Sequence, residues 1–307
     1  MMNLPTLRQL QHLVALADAG HFGRAAVACH VTQSSLSASI KELETQLEAS
    51  LVDRTRRKVV FTPLGTETVA RARRVIEGAE ELARAARAER APLTGDLRLG
   101  VIPTIGPFFL PTALPRLRRA YPKLRLYLVE DLTARLVRDL EDGKLDAVLL
   151  ALPYQCGNVE TRILFEDPFV VALPRDHALA KERAIAPSSL GGPELLLLQD
   201  GHCLRDHALA ACSLARPQYG ATVEATSLPT LVQMVDNGIG ITLLPELAVN
   251  AGILRGTRLV TRPLAGAAPS RKIGLVWRRG TGRQKEFELL AKELAAHAHR
   301  RGSAAAR

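Results

Sequence analysis

Between Gly95 and Arg278 the sequence switches repeatedly between two patterns. Strand-like apolar runs recur as GDLRLGVIP, KLRLYLVED, LDAVLLAL, EDPFVVALP, ELLLLQD, ATVEAT, GIGITLLP and RKIGLVWR, and helical stretches separate them. Strands that alternate with helices fold as α/β units with largely parallel sheets, and the stretch is long enough for two such subdomains. In an open α/β sheet a ligand sits beyond the carboxyl ends of the strands. Two loops stand out at such positions, PTIG at 103–106 and DGHC at 200–203.

Residues 1–64 read instead as short helices. Val14, Leu16 and Ala17 give the first an apolar face, HFGRAAVACHV is a short Ala-rich helix, and Thr32 is placed to cap a third, QSSLSASIKELETQL. A helix, a tight turn and a second helix that opens on small polar residues make a helix-turn-helix, whose second helix enters the DNA major groove. Thr32, Gln33, Ser34, Ser35 and Ser37 are suitable types for base edges or phosphate, and Lys41, farther along, for phosphate. Arg54, Arg56 and Arg57 precede the strand-like KVVF and form a basic wing able to grip phosphates or enter a minor groove. Residues 65–91 then carry Val69, Ala72, Ile76, Ala79, Ala83 and Ala86 at 3-4 spacing, a mostly alanine seam suited to close pairing of two helices. The alternative is a helix packed on its own domain.

The net charge of +10 does not locate the DNA surface. Residues 271–307 hold 10 basic against 3 acidic side chains, whereas residues 1–92 hold 13 against 10. A hydrophobic fraction of 47% with 23% charged residues is that of a soluble globular chain, long enough at 307 residues for two or three domains. No apolar run approaches a membrane span, and the N-terminus carries no secretory pattern, so a cytoplasmic location is expected. There, four cysteines are free, catalytic or sensing rather than structural. Cys29 lies among small apolar residues and reads as a core thiol; Cys156 follows a strand and has no partner by spacing. Cys203 and Cys212 are nine positions apart in GHCLRDHALAAC. As a helix this stretch holds their Cα atoms roughly 13 Å apart, whereas a disulfide needs less than about 7 Å. They are either two unrelated thiols or a pair that meets only if the segment refolds.

The stretch FGRAAVACHVTQSSLSASIKELETQLEASLVDRTRRKVVFTPLG resembles the LysR family of bacterial transcription regulators. The resemblance implies a winged helix-turn-helix over residues 1–64, a dimerising linker helix over 65–92 and a regulatory domain over 93–307. That domain would be a two-subdomain α/β fold of the periplasmic-binding-protein type, with subdomain I at about 93–165 plus 268–300 and subdomain II at about 166–267. It also implies homodimers or homotetramers on double-stranded DNA with inverted half-sites, and RNA polymerase as a further partner. Ser34, in VTQSSLS, departs from the proline common there in the family.

Within that family, VIPTIGPFFLP, KLDAVLLAL, LLLQDGHCLRDHALAAC, ATSLPTLVQMV and GITLLPELAV are similar to the members that sense hydrogen peroxide. The similarity implies that Cys203 reacts with peroxide, that Cys212 resolves it as a disulfide reset by a cellular thiol reductant, and that Thr104 and Thr133 line the peroxide pocket. Arg271 matches a basic residue of those members and is left outside the site. Residue chemistry points the same way. Thiolate, not thiol, attacks peroxide, and Cys203 sits where a strand gives way to a helix whose N-terminus favours the anion, with His202 and Arg205 nearby. Sulfenic acid then condenses with a second thiol. Thr104 has a competing reading as a helix cap. Three rival functions remain: a regulator answering a small organic effector, a thiol peroxidase, and a metal sensor using His202, Cys203, His207 and Cys212. The expectation is a regulator that is not an enzyme and needs no cofactor or metal.

Overall fold

The computed structural model describes residues 4–53, 59–88, 93–190, 195–211, 225–266 and 269–305. Arg54, Arg56, Arg57 and Cys212 lie outside the described residues, as do Lys58 and most of ATVEAT. The chain forms two compact units, one made chiefly of the first 91 residues and one of most of the remainder.

In the first unit, helix α1 (Leu7–Ala19) starts on a reciprocal cap. The Thr6 hydroxyl accepts the Gln9 amide at 3.2 Å, and the Gln9 side chain accepts the Thr6 amide at 2.8 Å. Helices α2 (Phe22–Ala28) and α3 (Gln33–Gln46) follow, and Thr32 caps α3 by accepting the Ser35 amide. Leu10, Leu13, Leu16, Ala25, Ala26, Leu36 and Ile40 bring the three helices onto one core. Strands β1 (Val52–Asp53) and β2 (Val60–Phe61) pair antiparallel at the base of the wing. The Glu44 carboxylate of α3 anchors that wing by accepting the Leu51 and Val52 amides at 2.8 and 3.1 Å. Helix α4 (Pro63–Ala88) opens with Gly65 pressed on the wing; a Cβ there would lie 2.1 Å from the Leu51 carbonyl oxygen. Val69 and Ala72, the first two residues of the alanine-rich seam, are buried in this same core and Ile76 packs against it. The start of the seam therefore serves the chain's own domain, and among the described residues α4 leaves Leu64, Val75 and Leu82 exposed.

The second unit is the α/β part. Its elements run β3 (Gly95–Val101), α5 (Gly106–Ala120), β4 (Leu124–Glu130), α6 (Thr133–Glu141), β5 (Ala147–Leu152), β6 (Val159–Pro174), β7 (Leu195–Leu196), α7 (Cys203–Ala211), α8 (Leu228–Asp236), β8 (Ile241–Pro245), α9 (Glu246–Asn250), β9 (Leu259–Pro263), β10 (Ser270–Arg278) and α10 (Gln284–Ala305). The strands are ordered β4-β3-β5-β10-β6-β8-β7, and β9 also pairs with β6. Two apolar cores result. One gathers buried residues between 93 and 164 and between 273 and 294, together with Cys203; the other gathers residues between 169 and 264, together with Phe108.

The sheet is less parallel than the alternation of elements suggests. β3 is parallel to β4 and β5, and β7 to β8, but β10 runs antiparallel to both β5 and β6. The reason is the length of β6. Its first part pairs with β10 as far as Pro168, and from Phe169 it pairs with β8 and β9 in the other core. One strand thus passes between both cores, and β10 brings the chain back beside it. ELLLLQD yields only the two-residue β7 plus an isolated bridge from Leu198 to Ala225, and β9 is a strand the alternation did not reveal.

Candidate functional site

Cys203 is the first residue of α7, reached through a turn in which the His202 amide donates to the Gln199 carbonyl. Gly201 adopts φ +96° in that turn, a conformation that L side chains rarely take. Leu204, Ala208 and Leu209 bury α7 in the second core, yet Cys203 belongs to the first. The thiol is 7% exposed and stands at the carboxyl ends of β3, β4 and β5, where an α/β sheet places its ligand. Ile102, Pro103, Thr104, Leu132, Thr133, Gly201, His202 and Cys203 line a narrow cleft. Five of these follow β3 and β4, the last of them, Thr133, opening α6, and three come from the DGHC loop and the start of α7.

Burial is the largest influence on the Cys203 thiol and pushes its pKa up. Three groups oppose it by favouring the thiolate: the Thr133 hydroxyl, the Arg271 guanidinium and the backbone of Ala151. The Asp206 carboxylate adds to burial. The thiol is thus held protonated at rest by its apolar surroundings, with donors already aimed at the anion.

Thr104 is buried and is not a helix cap. Helix α5 begins at Gly106 after Ile105, without a side-chain cap. The Thr104 hydroxyl instead accepts a 2.8 Å bond from Arg271 Nη1, and its carbonyl accepts Nη2 at 3.0 Å. Arg271 is itself fully buried, and its Nε and Nη2 donate to Asp167 Oδ2 at 3.0 and 2.8 Å. A buried cation needs such a partner.

The cation near the thiol is therefore Arg271, not Arg205. Arg205 turns away, with Nε 3.3 Å from Asp200 Oδ1 and Nη1 donating to the Leu198 carbonyl at 3.4 Å. Two steps along a helix rotate a side chain by about 200°, so residues 203 and 205 cannot share a face. His202 does line the cleft, but burial lowers its pKa and leaves the ring neutral at pH 7, so it offers hydrogen bonding rather than charge. His207, one turn after Cys203, places Nε2 3.1 Å from the Pro153 carbonyl. Sequence reasoning missed Asp167, and it noticed Arg271 without giving it a place. Both strands carry other charged residues, so nothing local singled these two out, and their juxtaposition requires the β6–β10 register, in which they are direct partners.

Of the other cysteines, Cys156 is buried with its sulfur donating to the Tyr154 carbonyl at 3.5 Å, and Cys29 is half-buried against the first unit's core. On α3, Thr32, Gln33, Ser34, Ser35 and Lys41 are exposed and Ser37 half-buried, opposite the buried Leu36, Ile40 and Leu43. Among the described residues, no helix is long and apolar enough to cross a membrane, and no group of three or more His, Cys, Asp or Glu could hold a metal ion.

Residues 7–66 match the bacterial regulatory helix-turn-helix proteins of the lysR family, and residues 90–299 match the LysR substrate binding domain. The chain belongs to the LysR family. Among curated LysR-family relatives, it is 42% identical over 290 residues to the DNA-binding transcriptional dual regulator OxyR of Escherichia coli, covering 94% of this chain and 95% of that one. It is equally 42% identical, over 292 residues and 94% and 96% of the two chains, to the HTH-type transcriptional regulator EstR of Acinetobacter baylyi. Among solved structures it is similar to a full-length OxyR of Pseudomonas aeruginosa carrying a cysteine-to-aspartate change, with TM-score 0.82, 38% identity and 94% coverage of both chains. A hydrogen peroxide-bound cysteine-to-serine mutant of Corynebacterium glutamicum OxyR gives TM-score 0.68 at 35% identity, covering 100% of this chain and 96% of that one.

Proposed function

We propose that this LysR-family regulator is a peroxide-responsive transcriptional activator whose trigger is Cys203. The observation that carries the reading is a buried thiol in a polar-edged cleft beside two threonine hydroxyls, backed by a buried arginine. Overall identity does not choose between the OxyR and EstR relatives, since both stand at 42%. The lining of the cleft favours peroxide: a thiol, the group there that peroxide oxidises, shares it with two threonine hydroxyls.

The chemistry follows from the contacts. Cys203, deprotonated, attacks one oxygen of hydrogen peroxide; the O–O bond breaks, and the other oxygen leaves as hydroxide and becomes water. Thr133 stabilises the thiolate before attack. The Thr104 oxygen already accepts from Arg271, so its own proton is available to the leaving oxygen. The Cys212 thiol then displaces hydroxide from the Cys203 sulfenic acid, giving a disulfide and a second water. Two thiols supply the two electrons, and a cellular thiol reductant returns them. At the helical spacing expected from the sequence the two are too far apart to bond, so the disulfide requires residues 203–212 to unwind, and that change is the signal.

For DNA, Thr32, Gln33, Ser34, Ser35, Ser37 and Lys41 of the second motif helix face the major groove, and Arg54, Arg56 and Arg57 the phosphates. Residues 1–64 form the DNA-binding domain, 65–92 the linker and 93–307 the regulatory domain in two subdomains. Exposed Val75 and Leu82 on α4 support pairing of two linkers, and hence homodimers or homotetramers on inverted half-sites, with RNA polymerase recruited in the cytoplasm. The protein consumes about one peroxide per activation and is a regulator rather than an enzyme.

The test is peptide mapping after one equivalent of peroxide with alkylation of remaining thiols, run beside footprinting of the reduced and oxidised forms at several salt concentrations. A Cys203–Cys212 crosslink and a changed footprint support the reading. Free thiols at both positions, with peroxide consumed elsewhere, overturn it. A Cys203→Ser protein that keeps its inducer response would establish the organic-effector alternative.

A further inference from the structure

We propose that Asp167 is the positioning residue of the peroxide site, fixing the Arg271 guanidinium and, through it, the direction in which the Thr104 hydroxyl donates. The proposal rests on Cys203 being the peroxide-reactive thiol.

Three hydrogen bonds hold Asp167 in place. It is 2% exposed, Oδ2 accepts both Nε and Nη2 of Arg271, and Oδ1 accepts the Leu247 amide in the first turn of α9 at 2.9 Å. It stands on β6 one residue before the last pairing with β10, where the strand leaves for β8. The carboxylate therefore pins the guanidinium from one side while Thr104 meets it on the other. A guanidinium has only donors, so the Thr104 oxygen that receives Nη1 must be an acceptor there. Its hydroxyl proton must then point elsewhere, and Thr104 lines the cleft beside Cys203. Asp167 touches neither sulfur nor peroxide; it acts by holding the group that makes Thr104 a donor. A threonine without that constraint rotates its hydroxyl freely and can accept as readily as donate.

This role separates two reactions of the same thiol. Attack on peroxide needs a donor to the departing oxygen. Attack on iodoacetamide expels iodide and needs only the thiolate. In Asp167→Asn the amide oxygen can still receive Arg271, but the carboxylate charge that orients the guanidinium is gone. The residues facing Cys203 are all retained: Arg271 on β10, Thr133 on α6, the Ala151 backbone on β5, Asp206 on α7, and Tyr154 and His202 nearby.

The experiment measures both second-order rates on the full-length reduced protein, with the pH profile of each, and maps the modified thiol by mass spectrometry. In Asp167→Asn the peroxide rate falls about tenfold or more relative to the alkylation rate. The alkylation rate does not fall, and its midpoint moves to lower pH because Arg271 is no longer offset. Asp167→Glu, which keeps the charge, recovers most of the ratio. Because Asp167→Asn leaves a buried cation without its counterion, the pair Arg271→Met and Asp167→Asn/Arg271→Met guards against misfolding, since removing both charges avoids that penalty. In the Arg271→Met background the second change leaves the ratio as it was. Rates that fall in parallel, an unchanged ratio in Asp167→Asn, or a further loss in the Arg271→Met background would each overturn the proposal. Peroxide reacting at a thiol other than Cys203 in the wild type overturns the Cys203 reading itself, and this proposal with it.

Discussion

His207 offers a direct handle on the proposed switch. Its Nε2 bonds a carbonyl oxygen, which can only accept, so Nε2 carries the proton; Nδ1 is then a bare acceptor, buried and without a partner among the described residues. The bond ties α7 to the segment after β5 and exists only while α7 is helical. A neutral hydrogen bond contributes about 0.5–1.5 kcal/mol net, so His207→Ala should favour the unwound, disulfide form roughly 2- to 12-fold. Protonation adds a second effect. Burial lowers the ring pKa in the folded helix; Arg271 lowers it further, while the Pro153 bond and Asp206 raise it. Released by unwinding, the ring returns to about 6.5. A lowered pKa in the helical state means that its advantage is complete above about pH 6.5 and is lost as pH falls, by up to tenfold per unit. The disulfide should therefore gain on acidification. The assay is equilibration with dithiothreitol and its disulfide between pH 5 and 8, quantifying the Cys203–Cys212 crosslink by mass spectrometry. Both couples bind the same number of thiol protons, so any slope reports other groups. His207→Gln retains an N–H donor without titrating and should abolish the part of the slope due to His207, while buried His202 continues to contribute in both proteins. Identical slopes in the wild type and His207→Gln, or no shift in His207→Ala at pH 8, would refute the reasoning.

Thr133→Val removes the side-chain donor to the Cys203 thiolate; a hydrogen bond to a charged group is worth about 1.5–3 kcal/mol, so alkylation at pH 7 should slow by at least about tenfold, measured by stopped-time iodoacetamide labelling. Phe109→Ala empties a site packed against Phe165 and His297 and should cost about 3–5 kcal/mol in denaturant unfolding of the second unit. Gly65→Ala forces a Cβ against the Leu51 carbonyl, displacing α4 from the wing, and should weaken operator binding while leaving peroxide reactivity of Cys203 unchanged.

The motif residues were legible because local rules govern them. Thr32 caps α3 as its type and position require, and the alternation of strands and helices gives the α/β second unit. The seam of α4 was only half legible. Spacing shows that Val69 and Ala72 share a face but not what covers it, and the covering is the helix's own domain. The same limit applies to Arg205 and Arg271. Nearness in sequence suggested Arg205 for the thiol, but helical rotation turns it to Asp200 and Leu198, while Arg271, 68 residues from Cys203 in the chain, arrives beside it.

By itself the sequence determined the helical DNA-binding unit, the α/β character of the remainder and the thiol at a strand-to-helix junction, because propensity, periodicity and capping act over a few residues. Tertiary structure alone decided the antiparallel return of β10, the burial that keeps Cys203 protonated, and the Asp167–Arg271–Thr104 contacts. Those depend on which strands become neighbours, and strand pairing is set by the closure of two cores around one long strand rather than by any local run of residues.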